Sequence, residues 1–362
     1  MLRAALIGLP SSGKTTLFQL MTSAKEAPRG KGDVNIGISK VPDARLDILT
    51  GMYNPKKRVP ATVEFTDIIA PAKSGAQALV DVAGYKNADA FVHVVRAFRD
   101  EAVPHAAGAI DPGRDAQTME DELILADLSI VERRLERLEK DLKKGRSTEL
   151  ENERELVHRC KAALEEGKPL RALQLTGDDL KRLSGFQFLS AKPLLLVINL
   201  DESDIGDVAA GIETAAAKTG LTSFLANAET KAVALCAKIE LEISQLEGDD
   251  AKAFLADLGL SESGLDRVIR TTYELLGYIS FFTVGEDECR AWSIARGTAA
   301  QVAAGEIHSD IQRGFIRAEV VAYDALVSRG SMQACREHGE VRLEGKDYIV
   351  QDGDIINFRF AT

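Results

Sequence analysis

The sequence predicts an α/β domain that is interrupted by an antiparallel helical arm and followed by a smaller α+β module. Three features predict this fold class: apolar runs of strand length that end in polar turns, a heptad pattern in the middle of the chain, and a change of pattern after Phe281. The expected boundaries are 1–117 and 185–280 for the two parts of the first domain, 118–184 for the arm, and 281–362 for the last module.

The composition is that of a globular, acidic protein. Of the 362 residues, 45% are hydrophobic and 28% charged, which is enough apolar material for a core. Lys and Arg number 45 against 56 Asp and Glu, a formal net charge of −11. A chain this acidic does not bind nucleic acid through bulk charge, so no DNA partner is expected and any RNA contact must come from a local patch.

The cysteines and the apolar runs favour a soluble protein of a reducing compartment. Cys160, Cys236, Cys289 and Cys335 stand far apart, which fits neither a disulfide framework nor a zinc site, so the expected location is the cytoplasm. The longest strongly apolar run, residues 194–198, is too short to span a membrane, and the run at the N-terminus is broken by Pro10. No membrane partner is therefore expected.

A phosphate-binding loop is predicted at the start of the chain. Residues 2–7 form an apolar run of strand length, residues 8–15 are Gly-Leu-Pro-Ser-Ser-Gly-Lys-Thr, and residues 16–21 have a helical apolar pattern. This is G-x-x-x-x-G-K-[ST] between a strand and a helix, where backbone N–H groups and the helix N-terminus surround a phosphate. The predicted nucleotide-binding residues here are Gly8, Pro10, Ser11, Ser12, Gly13, Lys14, Thr15 and Thr16.

Two of these side chains have a predicted chemical role. Lys14 can reach the β- and γ-phosphates and is the expected catalytic residue, and the Thr15 hydroxyl can ligate Mg²⁺. Residues 58–69 are predicted to form a strand that ends near Asp67, where a carboxylate facing the loop would supply the second metal contact. The expected metal site is therefore Mg²⁺ held by Thr15 and Asp67.

Two later strands end in residues suited to binding a purine base. The run 192–202 ends in Asn199-Leu200-Asp201-Glu202, which resembles the N-K-x-D element of GTPases with glutamate in the last place. The run 232–238 ends in a Cys236-Ala237-Lys238 turn, which resembles the fifth GTPase motif. Polar residues often close buried strands, so each tip alone is ambiguous, but their order along the chain favours base binding. The predicted base-site residues are Asn199, Leu200, Glu202, Cys236, Ala237 and Lys238.

The middle of the chain has the spacing of an antiparallel helical pair. Apolar residues recur every three or four positions, and after a turn at 145–147 a second set could form the returning seam. The first set is Ile124, Leu128, Val131, Leu135, Leu138 and Leu142, and the second is Leu156, Val157, Cys160 and Leu164. The charges on the outer face either keep the arm soluble or offer a basic strip to ribosomal RNA, formed by Arg133, Arg134, Arg137, Lys140, Lys143 and Lys144.

The last segment predicts a compact α+β module of β-grasp size. Residues 316–321 and 355–360 have strand patterns and residues 325–336 a helical one. From residue 281 onward there are nine Lys and Arg against thirteen Asp and Glu, so protein docking is at least as plausible as RNA binding. His308 and Asp310 are interpreted as surface hydrogen-bonding residues and His93 as a core residue.

These segments together resemble the YchF-type NTPases, the Obg-related group also called Obg-like ATPases, along nearly the whole chain. The matching stretches are residues 8–18, 34–49, 91–98, 122–140, 199–202, 264–270, 290–320 and 344–360. The resemblance implies a P-loop G domain interrupted by a coiled-coil arm, then a C-terminal TGS-like β-grasp domain. It also implies nucleotide hydrolysis with adenine tolerated or preferred, and association with ribosomes.

Glu202 gives the base preference a physical reason. The aspartate of a GTPase accepts two hydrogen bonds from guanine, whereas adenine has no exocyclic group at position 2 and its N1 is an acceptor. The longer Glu202 cannot keep the same bidentate geometry without moving, so selection of guanine weakens. ATP is therefore expected to be favoured over GTP.

The sequence departs from the family pattern at the segments that sense the γ-phosphate. Lys31 replaces the switch I threonine, and the switch II D-x-x-G is Asp67-Ile-Ile-Ala70 followed by Pro71. Ser11 replaces a family asparagine associated with a monovalent cation, which weakens the expectation of potassium dependence. Nucleotide binding is expected to survive these changes. Hydrolysis is expected to be slow.

Three functional hypotheses follow. The first is a Mg²⁺-dependent purine NTPase that acts as a ribosome- or translation-associated switch. The second is a regulatory or scaffold protein that binds nucleotide with little or no hydrolysis, because Lys31 and Ala70 alter both switches. The third is a binding module led by the C-terminal domain, with a vestigial G domain.

Overall fold

The structure is a computed structural model and describes residues 2–22, 34–68, 85–105, 107–145, 147–227 and 229–361. Its strands are β1 Arg3–Ile7, β2 Val34–Lys40, β3 Lys57–Val59, β4 Thr62–Ile68, β5 Ala90–Arg96, β6 Leu194–Asn199, β7 Thr230–Leu235, β8 Tyr278–Thr283, β9 Glu288–Ala295, β10 Phe315–Val321, β11 Arg342–Glu344 and β12 Ile355–Phe360. Its α-helices are α1 Lys14–Thr22, α2 Ala44–Tyr53, α3 Pro112–Lys144, α4 Thr148–Glu165, α5 Gly177–Leu183, α6 Ile205–Ala210, α7 Ile212–Lys218, α8 Ala237–Ile243, α9 Gly248–Asp257, α10 Gly264–Leu275, α11 Ala300–Ile307, α12 Ser309–Arg313, α13 Tyr323–Arg329 and α14 Met332–Glu337.

The chain divides into two compact units. The first unit is Met1–Ile38 with Glu64–Leu275, and the second is Ser39–Val63 with Leu276–Thr362. The sequence analysis placed residues 39–63 in the first domain, and the structure differs, because these residues supply β3 to the sheet of the second unit. The other predicted boundaries stay a prediction.

The first unit is built on a six-stranded sheet with strand order β2-β4-β1-β5-β6-β7. The neighbours from β4 through β7 pair in parallel. Every residue of β5 and β6 is buried, as expected for central parallel strands with both faces covered. Ile7, Phe91, Leu123 and Leu196 belong to the core that packs on this sheet. The predicted α/β fold class is therefore confirmed.

Parallel pairing brings the carboxyl ends of several strands to one edge of this sheet. The segments that follow β1, β5, β6 and β7 all start at that edge, since these four strands are consecutive neighbours. In open α/β sheets, ligand sites form at such an edge. The predicted phosphate loop and base-binding segments follow three of these strands.

The helical arm consists of α3 and α4. Asp111 and Ser147 cap the two helices by accepting hydrogen bonds from backbone N–H groups, and Pro112 opens α3. The predicted seam residues Val131, Leu138, Val157 and Cys160 are buried in one cluster, which confirms the heptad interpretation. The first helix begins six residues before the predicted boundary because Asp111 and Pro112 form a strong start signal.

The predicted strand 58–69 is wrong as a single element. The structure has β3 and β4 instead, and β3 pairs in parallel with β9 while β4 pairs with β1. Pro60 lies between them, and its missing N–H and fixed φ interrupt a sheet ladder. Asp67 nevertheless lies at the expected end of β4.

The second unit contains a six-stranded sheet with strand order β11-β10-β12-β8-β9-β3. Its core includes Ile279, Phe281, Val320 and Phe358, against which α11 packs Ala303 and Ala304. The strands predicted at 316–321 and 355–360 are confirmed, and the predicted helical stretch is the pair α13 and α14. The more specific TGS-like β-grasp assignment stays a prediction.

Two expectations about the whole chain can be checked against the described residues. All four cysteines are free and buried. Among the helices in the described part of the chain, none has both the length and the apolar character needed to cross a membrane.

Candidate functional site

The loop between β1 and α1 has a backbone that depends on glycine. Gly8 and Gly13 have φ of 141° and 97°, and Ser11 also has a positive φ of 61°. A Cβ on Gly8 would lie 2.4 Å from the Val94 carbonyl oxygen, and one on Gly13 would lie 2.5 Å from Asn199 Nδ2. Glycine at both positions therefore lets the loop approach its neighbours more closely than any side chain would allow.

Lys14 lies at the first position of α1 and folds back over this loop. Its Nζ donates hydrogen bonds to the carbonyl oxygens of Gly8 at 2.8 Å and Leu9 at 2.9 Å. Burial lowers the pKa of Lys14, while the nearby Asp67 carboxylate acts in the opposite direction. An ammonium held in a concave loop of backbone dipoles is suited to contacting an anion.

Thr15 and Asp67 form the predicted metal pair. The Thr15 hydroxyl donates to Asp67 Oδ2 at 3.1 Å, and Asp67 is only 1% exposed. In the described part of the chain, no group of three or more His, Cys, Asp and Glu side chains could hold a metal ion. One hydroxyl and one carboxylate are hard oxygen donors, and they fit a Mg²⁺ ion whose other ligands are phosphates and water.

Asn199 links three segments at the edge of the sheet. Its Nδ2 donates to the Ser12 carbonyl oxygen at 3.1 Å, and its Oδ1 accepts from the Ala237 N–H at 3.0 Å. The side chain is buried. A single amide therefore connects the loop after β1, the end of β6 and the start of α8.

An open cavity of about 520 Å³ lies next to these residues. The predicted residues that line it are Gly13, Thr16, Asn199, Leu200, Glu202, Cys236, Ala237 and Lys238. The other predicted phosphate-site residues lie outside this lining: Gly8, Pro10, Ser11 and Ser12 belong to the adjoining loop, and Lys14 and Thr15 are the first two residues of α1. The cavity is of a size that suits a small ligand.

The sequence analysis missed part of the cavity wall. Phe98, Arg99 and Asp100 line it and follow β5, and Asp201 and Leu241 complete the lining. The Arg99 N–H donates to Asp201 Oδ2 at 3.1 Å and lowers the pKa of Asp201. The available signal was the position of β5, which, as a neighbour of β6 in a parallel sheet, must end at the same edge.

Glu202 and Lys238 form an ion pair on the cavity wall. Lys238 Nζ lies 2.7 Å from Glu202 Oε1, and their side chains are 70% and 43% exposed. This hydrogen bond raises the pKa of Lys238. The predicted turn at 236–238 is wrong: Cys236 precedes α8, and Ala237 and Lys238 are the first two residues of that helix.

Two histidines lie where the sequence analysis expected them. His93 is buried within β5, where desolvation first, and the positive charges of Lys14 and Arg171 second, lower its pKa to about 3. His308 is exposed, and its Nδ1 accepts from the Asp310 N–H at 3.2 Å.

A third histidine forms a buried pair that the sequence analysis missed. His105 Nε2 lies 2.7 Å from Asp115 Oδ2, and both side chains are at most 5% exposed. Nothing local in the sequence indicates this contact, because the partners lie ten positions apart in the chain.

Some predicted departures cannot be placed. Lys31, Ala70 and Pro71 lie outside the described residues. Their proposed effect on the two switches therefore stays a prediction from the sequence.

Comparison with known proteins places the chain among close relatives. It is 43% identical over 367 residues to "Ribosome-binding ATPase YchF" of Bacillus subtilis, covering 99% of both chains. It is 34% identical to "Obg-like ATPase 1" of Oryza sativa, covering 99% of this chain and 92% of that one. The structure of the Schizosaccharomyces pombe YchF GTPase matches with a TM-score of 0.86 at 29% identity, covering 99% of this chain and 97% of that one.

A family model also matches the second unit. Residues 278–361 match the YchF-GTPase_C family, which is described as a protein of unknown function. Together with relatives that align over nearly every residue, this match settles the assignment. The chain belongs to the YchF family of P-loop ATPases and GTPases.

Proposed function

We propose that this protein binds a Mg²⁺-loaded purine nucleoside triphosphate and hydrolyses it slowly, as a ribosome-associated switch. The observation that carries the proposal is the joint placement of Lys14, the Thr15–Asp67 pair and Asn199 at one edge of the first sheet. These groups supply what phosphoryl transfer needs from a protein, namely positioning and charge stabilisation.

Each group has a defined part in the proposed reaction. Lys14 would exchange its two carbonyl contacts for phosphate oxygens, and the loop N–H groups would hold the same phosphates. Thr15 and Asp67 would hold Mg²⁺, which when bound neutralises charge on the β- and γ-phosphates. Asn199 would keep the phosphate loop and the base cavity in register.

The cavity supports a preference for ATP over GTP. Glu202 replaces the shorter aspartate that accepts two guanine hydrogen bonds in GTPases, and its carboxylate is paired with Lys238. A site without a free bidentate acceptor gives guanine little advantage over adenine.

Ribosome association is supported by the names of the bacterial relatives, which are called ribosome-binding ATPases. The basic strip on the arm is a weaker support. Arg134 makes a bidentate pair with Glu153 at 2.7 Å, and Arg133 donates to the Ser129 carbonyl oxygen of its own helix. The helical arm and the C-terminal domain remain the proposed contact surfaces.

The first test is a titration of ATP against GTP with Mg²⁺, by calorimetry, with phosphate release recorded in parallel. We expect saturable binding of both nucleotides, tighter binding of ATP, and slow release that Lys14→Ala abolishes. The variant should weaken binding by about 100-fold or more, because it removes a charge-assisted contact to phosphate. Lys252→Ala, at an exposed lysine of α9, is the matched control. ATPase activity that survives Lys14→Ala in a pure preparation would contradict the assignment.

A second candidate function is a nucleotide-dependent scaffold without turnover. Lys31 and Ala70 favour it, because they replace residues with which the switches sense the γ-phosphate. Steady-state phosphate release with and without ribosomes separates the two functions. Tight binding with no release in either condition favours the scaffold.

A further inference from the structure

Asn199 and Ala237 already bond to the protein at the base end of the cavity. Asn199 donates one Nδ2 N–H to the Ser12 carbonyl oxygen, and its Oδ1 accepts from the Ala237 N–H. The Ala237 N–H is thus directed to the protein and not to the cavity. Of the groups at this end, Glu202 is the acceptor that a purine edge would meet, as it lines the cavity and is 43% exposed.

Lys238 forms an ion pair with the Glu202 carboxylate. Its Nζ lies 2.7 Å from Glu202 Oε1, and both residues line the cavity. Glu202 begins a short 3₁₀ helix after β6, and Lys238 lies in the first turn of α8, so both residues of the pair lie on regular backbone elements. The ammonium neutralises the carboxylate and occupies lone pairs on one of its oxygens.

This pairing affects guanine and adenine differently. Guanine presents two donors at its N1 and N2 positions, and both need a carboxylate that is free to accept them. An ammonium beside that carboxylate repels those donors and competes with them. Adenine presents an acceptor at N1 and nothing at position 2, so it loses nothing to the ammonium.

We propose that Lys238 is a specificity-determining residue, which holds the Glu202 carboxylate away from guanine and so turns the site towards adenine nucleotides. The inference rests on the proposed function, because it assigns the base preference of that same site. It predicts that the longer side chain of Glu202 does not by itself account for the preference for ATP over GTP. The ammonium of Lys238 supplies part of that preference.

The test is Lys238→Met in the full chain, since methionine keeps the apolar stem and removes the charge. The Kd values of Mg–ATP and Mg–GTP are measured by calorimetry, and the readout is their ratio. We expect affinity for GTP relative to ATP to rise about three- to tenfold, the range of a charge-assisted contact at a partly exposed site. Lys238→Gln carries the same expectation if the methionine variant fails to fold.

Two controls separate the ion pair from other effects. Lys238→Arg keeps a cation opposite Glu202 and should keep the wild-type ratio. Lys231→Met removes a comparable exposed lysine, paired with Glu274 at 3.1 Å outside the cavity lining, and should also leave the ratio unchanged. A double-mutant cycle completes the test: with Glu202→Gln in place, Lys238→Met should no longer change the ratio.

The outcomes are distinct from failure of the proposed function. If wild-type protein binds neither nucleotide, the proposed function itself is wrong. If it binds both, and Lys238→Met changes the two Kd values by the same factor or leaves both unchanged, the specificity role of Lys238 is overturned. An effect of Lys238→Met that persists in the Glu202→Gln background also overturns it.

Discussion

The phosphate loop shows how single residues in this protein serve two neighbours at once. Gly13 lets the loop approach Asn199, and Asn199 in turn bonds to Ser12 and Ala237. The residue types could be predicted from the sequence, because G-x-x-x-x-G-K-[ST] specifies a chemistry and a backbone shape together. The partners could not, since Asn199 meets Ser12 across 187 residues of sequence. Local patterns carry no information about such contacts.

His93 should make the first unit sensitive to acid. Its folded pKa of about 3 lies below the ordinary value of 6.5, so the unfolded chain binds a proton more readily between those two values. The contribution of neutral His93 to folding stability is therefore fully present above about pH 6.5, and it decreases as the pH falls towards 3. By pH 5 this residue alone should cost about 2 kcal/mol of unfolding free energy.

Urea unfolding at pH 7 and pH 5 measures this cost. His93→Gln has no titrating group at the position, so its loss of stability between the two pH values should be smaller than that of wild type by about 2 kcal/mol. His158→Gln, at an exposed histidine of α4, should retain the full wild-type loss. An equal loss in His93→Gln and wild type would show that His93 is not the group responsible.

At the scale of elements, the helical arm buries polar side chains near the start of α3 (its root, Glu120 and Asp127) and apolar side chains along its seam. Glu120 and Asp127 lie seven residues apart on α3, so they project from the same face of the helix. Glu120 pairs with the buried Arg171, while Asp127 accepts hydrogen bonds from Leu189 and Ser190 N–H groups at 2.8 and 2.7 Å. The apolar seam could be predicted from its period. The burial of Glu120 and Asp127 could not be predicted, because a carboxylate on a charged helix has the same sequence pattern whether it is buried or solvated.

Removing Arg171 should destabilise the first unit strongly. Its side chain is 1% exposed, and besides Glu120 it donates to the Ser190 carbonyl oxygen at 3.2 Å. Arg171→Met leaves the Glu120 carboxylate buried without its cation, which typically costs about 3–5 kcal/mol. The measurement is the free energy of unfolding by urea at pH 7.

Two further variants test that explanation. Arg134→Met removes a more exposed arginine from its pair with Glu153 and should cost only about 1 kcal/mol or less. Adding Glu120→Gln to Arg171→Met should recover part of the loss, because the unpaired charge is gone. Equal costs for Arg171→Met and Arg134→Met would contradict the assignment of a buried, uncompensated charge.

At the scale of the whole molecule, the chain leaves the first unit and returns to it before completing the second. Residues 39–63 belong to the second unit, whose remaining residues begin at 276. Within that unit Arg45 pairs with Asp352 at 2.8 Å and lies over the Phe282 ring at 5.2 Å. The sequence predicts one interruption of the first domain, by the helical arm, because pattern and composition change there. It gives no local sign that a short segment near the N-terminus pairs with a strand near the other end.

This topology should make the β3–β9 pairing a late event in folding. The Lys56 N–H donates to the Glu286 carbonyl oxygen, and the neighbouring Lys56–Asp287 contact spans 231 residues, whereas β8 and β9 are joined by a short connection. Closing the longer loop costs about 3 kcal/mol more, equivalent to about a hundredfold in rate. Pulsed hydrogen exchange during refolding should therefore protect the amides of Phe281 and Trp292, which pair with each other across β8 and β9, before the Lys56 amide. The β5 and β6 amides of the first unit provide an internal reference for each labelling time.

Protection of the Lys56 amide in the same kinetic phase as the Trp292 amide would contradict this prediction. It would mean that residues 39–63 join their sheet early, and that loop closure does not set the order in which the strands pair.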